Sequence, residues 1–139
     1  MFDHFIAAQE PVYAQALAEL RAGRKQSHWM WFIFPQIAGL GHSAMAQRFA
    51  LANLAEAQAY LAHPVLGPRL LECTRAILRH APGTAQPHTL EAILGYPDDR
   101  KFHSAMTLFH RAAPNEPLFV QALDAFCGGK RDQATLDRL

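Results

Sequence analysis

Residues 25–36 read Lys25-Gln26-Ser27-His28-Trp29-Met30-Trp31-Phe32-Ile33-Phe34-Pro35-Gln36. Both tryptophans of the chain and two of its phenylalanines fall within positions 29–34. Every residue of that inner run is apolar. The pattern therefore follows neither the period of a half-buried strand nor that of an amphipathic helix. Its length suits a strand, but a lone strand has no partner elsewhere in this sequence. The expectation is an irregular or short helical passage through a helical core. Pro35 ends it, and Gly39 and Gly41 make the turn beyond it. Burying the run leaves Lys25, Ser27, His28 and Gln36 at the rim of an aromatic patch. Small-molecule pockets are built this way, and so are many ordinary cores.

Outward from that run the periodicity is helical. Pro11 suits a first helical turn, and Val12, Tyr13, Ala16, Leu17 and Leu20 line one face up to a stop at Gly23. Ser43 has the chemistry of an N-cap for a helix carrying Met45 and Phe49. Asn53 with Glu56 reads as a capping pair for an alanine-rich helix to Leu61. His63-Pro64 interrupts. Leu66, Leu70, Cys73 and Ile77 then repeat at helical spacing. Residues 81–88 read as a loop through Pro82, Gly83 and Pro87. Thr89 is the expected cap of a short helix ending at Gly95, and Asp98 the expected cap of another running to about Ala113. Pro114 and Pro117 mark a joint. Phe119, Ala122, Leu123 and Phe126 make a further face closed by Gly128-Gly129, and Asp132 opens a last short helix. The fold expected is all-α, one domain over residues 1–139 with about six to eight short helices. Its core should hold Leu17, Leu20, Trp31, Phe34, Phe49, Leu66, Leu70, Ile77, Phe102, Met106, Phe109, Phe119, Leu123 and Phe126.

Composition narrows the function classes. The chain has 139 residues, half of them apolar, and a net charge of +1. That is enough to bury a core without staples and too apolar for disorder. Lysine and arginine are scattered, so no basic patch announces a nucleic-acid binder. No apolar run approaches the ~20 residues that span a bilayer, and no leader pattern opens the chain. A cytoplasmic, soluble protein is expected. Cys73 and Cys127 belong to no spacing motif and read as buried free thiols. Gly39-x-Gly41 lacks a preceding strand and a following Gly-Lys-Ser/Thr, so it is no phosphate loop. No cofactor motif is present. No His-x-x-x-His or Cys-x-x-Cys spacing suggests a metal, and His80 and His88 have no evident reason to meet.

Two groups of polar residues carry candidate chemistry. On the helix from Asp98, Asp99 and His103 are four apart, so the carboxylate is positioned to orient the imidazole as a base. Lys101 and Ser104 occupy another flank, where a lysine beside a hydroxyl suits anion binding or nucleophile activation. In the opening stretch, Arg24, Lys25 and His28 form a positive edge beside aromatic rings. A flat, anionic ligand such as a nucleotide would stack on Trp29 or Trp31 and place its charge on Lys25.

The stretch from Lys25 to Ser43 resembles the signature of DUF1810, a family of small bacterial and fungal proteins of unknown function. Ala59-Tyr60-Leu61-x-His63-Pro64-Val65-Leu66-Gly67-x-Arg69-Leu70 matches further, as do Asp99-x-Lys101-x-x-Ser104-x-Met106-Thr107-Leu108-Phe109 and Ala122-Leu123-Asp124-x-Phe126. The resemblance spans nearly the whole chain. It implies an all-α fold and no established activity, and it favours Lys101 and Ser104 over His103. The family pattern has a second serine after Ser104, where this chain has Ala105.

Two readings follow. One is a binding protein or enzyme for a small anionic, ring-bearing metabolite, in a pocket between residues 25–36 and the helix from Asp98. There His28, Lys101 and Ser104 would do chemistry, and Lys25, Trp29, Trp31 and Gln36 would bind. The other is an interaction module that docks a protein partner through the aromatic segment Trp29–Phe34. Convergence of the polar residues in one concavity favours the first, and a flat exposed aromatic patch the second.

Overall fold

The computed structural model describes residues 1–139, which form ten helices and no strand. They are α1 (Asp3–Gln9), α2 (Tyr13–Ala22), α3 (Met30–Ile33), α4 (Ala44–Arg48), α5 (Leu54–Ala62), α6 (Leu66–Leu78), α7 (Leu90–Leu94), α8 (Asp98–Ala112), α9 (Pro117–Phe126) and α10 (Gln133–Leu136). α8 is the central rod. α5, α7, α9 and α10 pack on it, and α6 joins α2, α5 and α9. No helix is long and apolar enough to cross a membrane.

The cap residues act where local chemistry predicts them. Ser43, Asn53 and Thr89 each accept from the backbone N–H three residues on, at 3.1, 2.9 and 3.1 Å. Gly23 closes α2 with φ +76°. A Cβ there would also lie 2.8 Å from the His88 ring and 3.0 Å from that of His80. Glycine is required twice over, by the left-handed backbone and by the two imidazoles packed on it.

Three elements differ from the sequence reading. α1 was not expected, and with the single turns α3 and α10 it brings the count to ten. Seven residues do not sustain a helix alone. α1 is held by Phe5, whose ring lies 5.3 Å from Phe49 and 5.2 Å from Tyr60, and by buried Gln9. Second, α2 begins at Tyr13, beyond Pro11 rather than on it. Third, Asp98 caps nothing. It is the first helical residue of α8, behind Pro97, and its carboxylate serves two lysines instead.

The run 29–34 crosses the core as the single turn α3. Gln9 Nε2 donates to the Phe32 carbonyl at 2.7 Å, so a buried polar group meets an orphaned backbone acceptor. Beyond Pro35 the chain touches residue 51 through one parallel bridge, with Leu51 N–H donating to Gln36 O at 2.9 Å. Of the expected core, all are buried except Trp31 and Phe126, which are half-buried. The most enclosed tryptophan is Trp29, with no exposed surface.

Candidate functional site

The backbone before α3 is organised by Glu19, which is buried on α2. Its carboxylate accepts from Gln26 N–H at 2.8 Å, Ser27 N–H at 3.0 Å, Ser27 Oγ at 2.7 Å and Trp29 Nε1 at 2.9 Å. Gln15 Nε2 adds a fifth donor at 3.0 Å. Burial alone would raise the Glu19 pKa. The donors from Gln26, Ser27 and Trp29 outweigh it and hold the carboxyl at about 2, well below its ordinary 4.5. This acceptor sets the path of residues 25–29, and the sequence reading did not single it out.

That path delivers Lys25 to α8. Its Nζ lies 3.0 Å from Asp98 Oδ2 and donates to Ser27 O at 2.7 Å, while its backbone N–H donates to Ile93 O at 2.7 Å. The other Asp98 oxygen lies 3.5 Å from Lys101 Nζ. One carboxylate thus ties the two lysines together. Each ammonium also covers an indole: Lys25 stands 5.1 Å from the Trp29 ring centre and Lys101 5.4 Å from that of Trp31. Residues 25–36 and α8 therefore face each other, with Phe34 and Phe102 edge to face at 5.0 Å beneath them. A narrow cleft of about 10 Å³ opens between them, lined by Trp31, Gln36, Gly41, Lys101 and neighbouring apolar side chains.

The structure brings together Lys25, Trp31, Gln36 and Lys101. It does not bring the other three residues expected at the site, Trp29, His28 and Ser104, into the cleft. Trp29 is wholly enclosed, its N–H is spent on Glu19, and Lys25 and Phe34 flank its ring. No ligand reaches it. His28 is exposed, does not line the cleft, and has no side-chain partner. Ser104 is buried and donates to Asp132 Oδ2 at 2.9 Å and to Arg100 O at 3.2 Å. It helps Asp132 cap α10, so its hydroxyl is structural. The Asp99–His103 pair does not form. His103 lies 2.7 Å from Lys130 O, and Asp99 accepts from the Arg100 N–H.

Other side chains settle into ordinary roles. No group of three His, Cys, Asp or Glu residues is placed to hold a metal ion. His80 and His88 do meet, with ring centres 5.1 Å apart, and the buried His80 sets its Nε2 2.9 Å from Leu20 O at the end of α2. Cys73 is buried and Cys127 half-buried, both free. Burial pushes their thiols up to about 12 and about 11, which leaves them poor nucleophiles.

The aromatic segment offers no flat exposed patch, since only Trp31 among residues 29–34 reaches the surface appreciably. The largest concavity lies elsewhere. It measures about 480 Å³, between the loop at Pro82–Thr89 and the end of α9 at Phe126.

Comparison with known proteins agrees with this fold. No curated protein matches the chain. Among solved structures, the conserved hypothetical protein Rv1873 from Mycobacterium tuberculosis is 48% identical and superposes with a TM-score of 0.94. The match covers 99% of this chain and 95% of that one. A family model described as a protein of unknown function matches residues 1–139 in full, and the chain accordingly belongs to the DUF1810 family.

Proposed function

We propose that the protein binds a small anionic, ring-bearing metabolite, nucleotide-like in chemistry, at the mouth of the Trp31–Lys101 cleft. The observation that carries this reading is the Lys101 ammonium standing 5.4 Å over a half-buried indole while sharing Asp98 with Lys25. Lys25 stands in the same way over Trp29, but that ring is fully enclosed, whereas the Trp31 ring is half-buried and keeps an accessible edge. An accessible indole beside a cation suits a flat anionic ligand. The cleft is too narrow to enclose a ring, so the ligand lies across Trp31 and takes the place over the ring that the Lys101 ammonium now occupies. Lys101 moves outward to meet its anionic group, Asp98 retains Lys25, and Gln36 offers an amide to the ring's polar edge. Trp31, Gln36 and Lys101 are the binding residues in this reading, and Lys25 and Asp98 position Lys101.

Titration with AMP tests it, followed by melting temperature and tryptophan fluorescence. A ligand at 100 times its Kd stabilises by about 2.7 kcal/mol. AMP should raise the melting temperature and quench fluorescence saturably, and Lys101→Met should remove both responses. The reading falls if AMP gives no saturable response, or if Lys101→Met responds like the parent.

A further inference from the structure

Residues 81–88 form a loop between α6 and α7, and Pro82, Gly83, Pro87 and His88 in it wall the largest concavity of the molecule. Positions 82–88 are exposed. Thr84 donates its N–H and its hydroxyl to Ala81 O, at 3.2 and 2.7 Å, so these bonds stay within the loop. A single hydrogen bond ties residues 82–87 to the body of the protein, between Gln86 O and His80 Nδ1 at 3.2 Å.

His80 is buried, and both of its ring nitrogens face carbonyl oxygens. Nε2 lies 2.9 Å from Leu20 O and 3.1 Å from Arg21 O, at the C-terminal end of α2. Nδ1 has only Gln86 O. A carbonyl oxygen accepts and never donates, and a neutral imidazole carries one N–H. A neutral ring in this place sets one nitrogen lone pair against an oxygen lone pair. The imidazolium, with a proton on each nitrogen, donates on both sides.

The charged groups around the ring come from three elements. The carbonyl end of α2 favours a cation there. Arg21 from α2 and Arg79 from the end of α6 line a concavity beside His80, and the His88 ring lies 5.1 Å away in the loop; these oppose it. No carboxylate lines that concavity, and Glu72 stands behind Arg21, 3.9 Å from its guanidinium. A charge on His80 therefore rests on backbone dipoles, and its removal breaks no ion pair.

We infer that His80 is a proton-operated latch on the loop 81–88. Protonated on both nitrogens, it holds Gln86 O and the end of α2 together. When the ring loses a proton, the remaining N–H stays on Nε2, which faces two carbonyls at shorter distances, and the bare Nδ1 repels Gln86 O. The loop then loses its bond to the body, and the wall of the large concavity at Pro82 and Pro87 is free to move. The latch is closed at the acid end of the range in which histidine titrates, about pH 5 to 8, and opens as pH rises through it.

Long-range proton–nitrogen NMR of the His80 ring counts its protons. Exchange of the His88 amide, which donates to His80 O at 3.0 Å, reads the loop. His80 should be doubly protonated at the acid end. Protection of the residue 88 amide, corrected for its intrinsic exchange rate, should fall roughly tenfold or more as the ring loses its second proton. His80→Gln does not titrate and should show no such step, whereas His88→Gln should keep it. His80→Gln removes a buried ring, so the titration of the parent protein carries the test even if that variant folds poorly. The inference is overturned if His80 keeps one protonation state across the range, if protection at residue 88 is unchanged while the ring titrates, if a folded His80→Gln retains the step, or if His88→Gln loses it.

Discussion

Around Trp29 the enclosed polar groups have protein partners. The indole N–H meets Glu19, the carboxylate of Glu19 meets five donors, and Lys25 meets Asp98 and Ser27 O. Around Trp31, two residues on, the ring is half-buried, a lysine ammonium stands over it, and a narrow cleft opens beside it. One helical turn makes the difference. Trp29 is the N-cap of α3 and Trp31 its second residue, so the two side chains leave the backbone in different directions, one into the core and the other to the rim. The same residue type thus serves as a structural anchor at one position and as an accessible platform at the other.

The largest test of this contrast is truncation of the anchor. Trp29→Ala should cost on the order of 3–5 kcal/mol. It opens a cavity in a close-packed core and leaves Glu19 without one of its donors. Thermal or urea unfolding measures it. A loss under about 1 kcal/mol would mean that the buried site collapses around the gap and that Trp29 anchors nothing.

A somewhat smaller effect should follow acidification. Glu19 has a folded pKa of about 2 against an ordinary 4.5. Because the folded value is depressed, its contribution is fully present above pH 4.5. It is lost as pH falls toward 2, while the unfolded chain takes up a proton that the native carboxylate refuses. At about 1.4 kcal/mol per pKa unit the contribution is on the order of 3 kcal/mol. Glu19→Gln should therefore be less stable than the parent at neutral pH, and the two should converge toward pH 2. A constant gap between their stabilities across that window would show that Glu19 acts through shape rather than charge.

The contrast also marks what a sequence yields. Ser43, Asn53 and Thr89 were legible as caps because a cap and its acceptor are three residues apart. The faces of α6 and α8 were legible because periodicity is local. Glu19 was not. Three of its five donors are backbone N–H groups or an indole seven to ten residues away, and no side-chain pattern marks a backbone N–H. Asp98 was misread for a related reason: a carboxylate at a helix start looks the same whether it caps or pairs. The pair Lys25–Asp98 joins residues 73 apart in sequence, so only the fold reveals it. α1 escaped because its stability is tertiary, resting on Phe5 and Gln9 rather than on propensity. Ser104 was read for its hydroxyl without knowledge of Asp132, which arrives from 28 residues downstream. The facing of residues 25–36 and α8 was argued from polar residues set among apolar ones. That reasoning found Trp31, Gln36 and Lys101, but it had no means to separate Trp31 from Trp29.

The smallest stability effect belongs to Trp31, and it decides the comparison. Trp31→Ala removes a half-buried ring at the rim, where the space left opens to water instead of forming a sealed void. It also removes the Lys101 contact, which at such a site is worth about 0.5–1 kcal/mol. The total should be about 1–2 kcal/mol, well short of the cost at Trp29. Binding should respond in the opposite order: Trp31→Ala should abolish the AMP-dependent rise in melting temperature, while Trp29→Phe, which keeps the core filled, should retain it. Measuring both quantities on the same two variants separates anchor from platform. Should Trp31→Ala destabilise as severely as Trp29→Ala and leave AMP binding intact, Trp31 is one more core side chain, and the cleft beside Lys101 loses its claim to be a site.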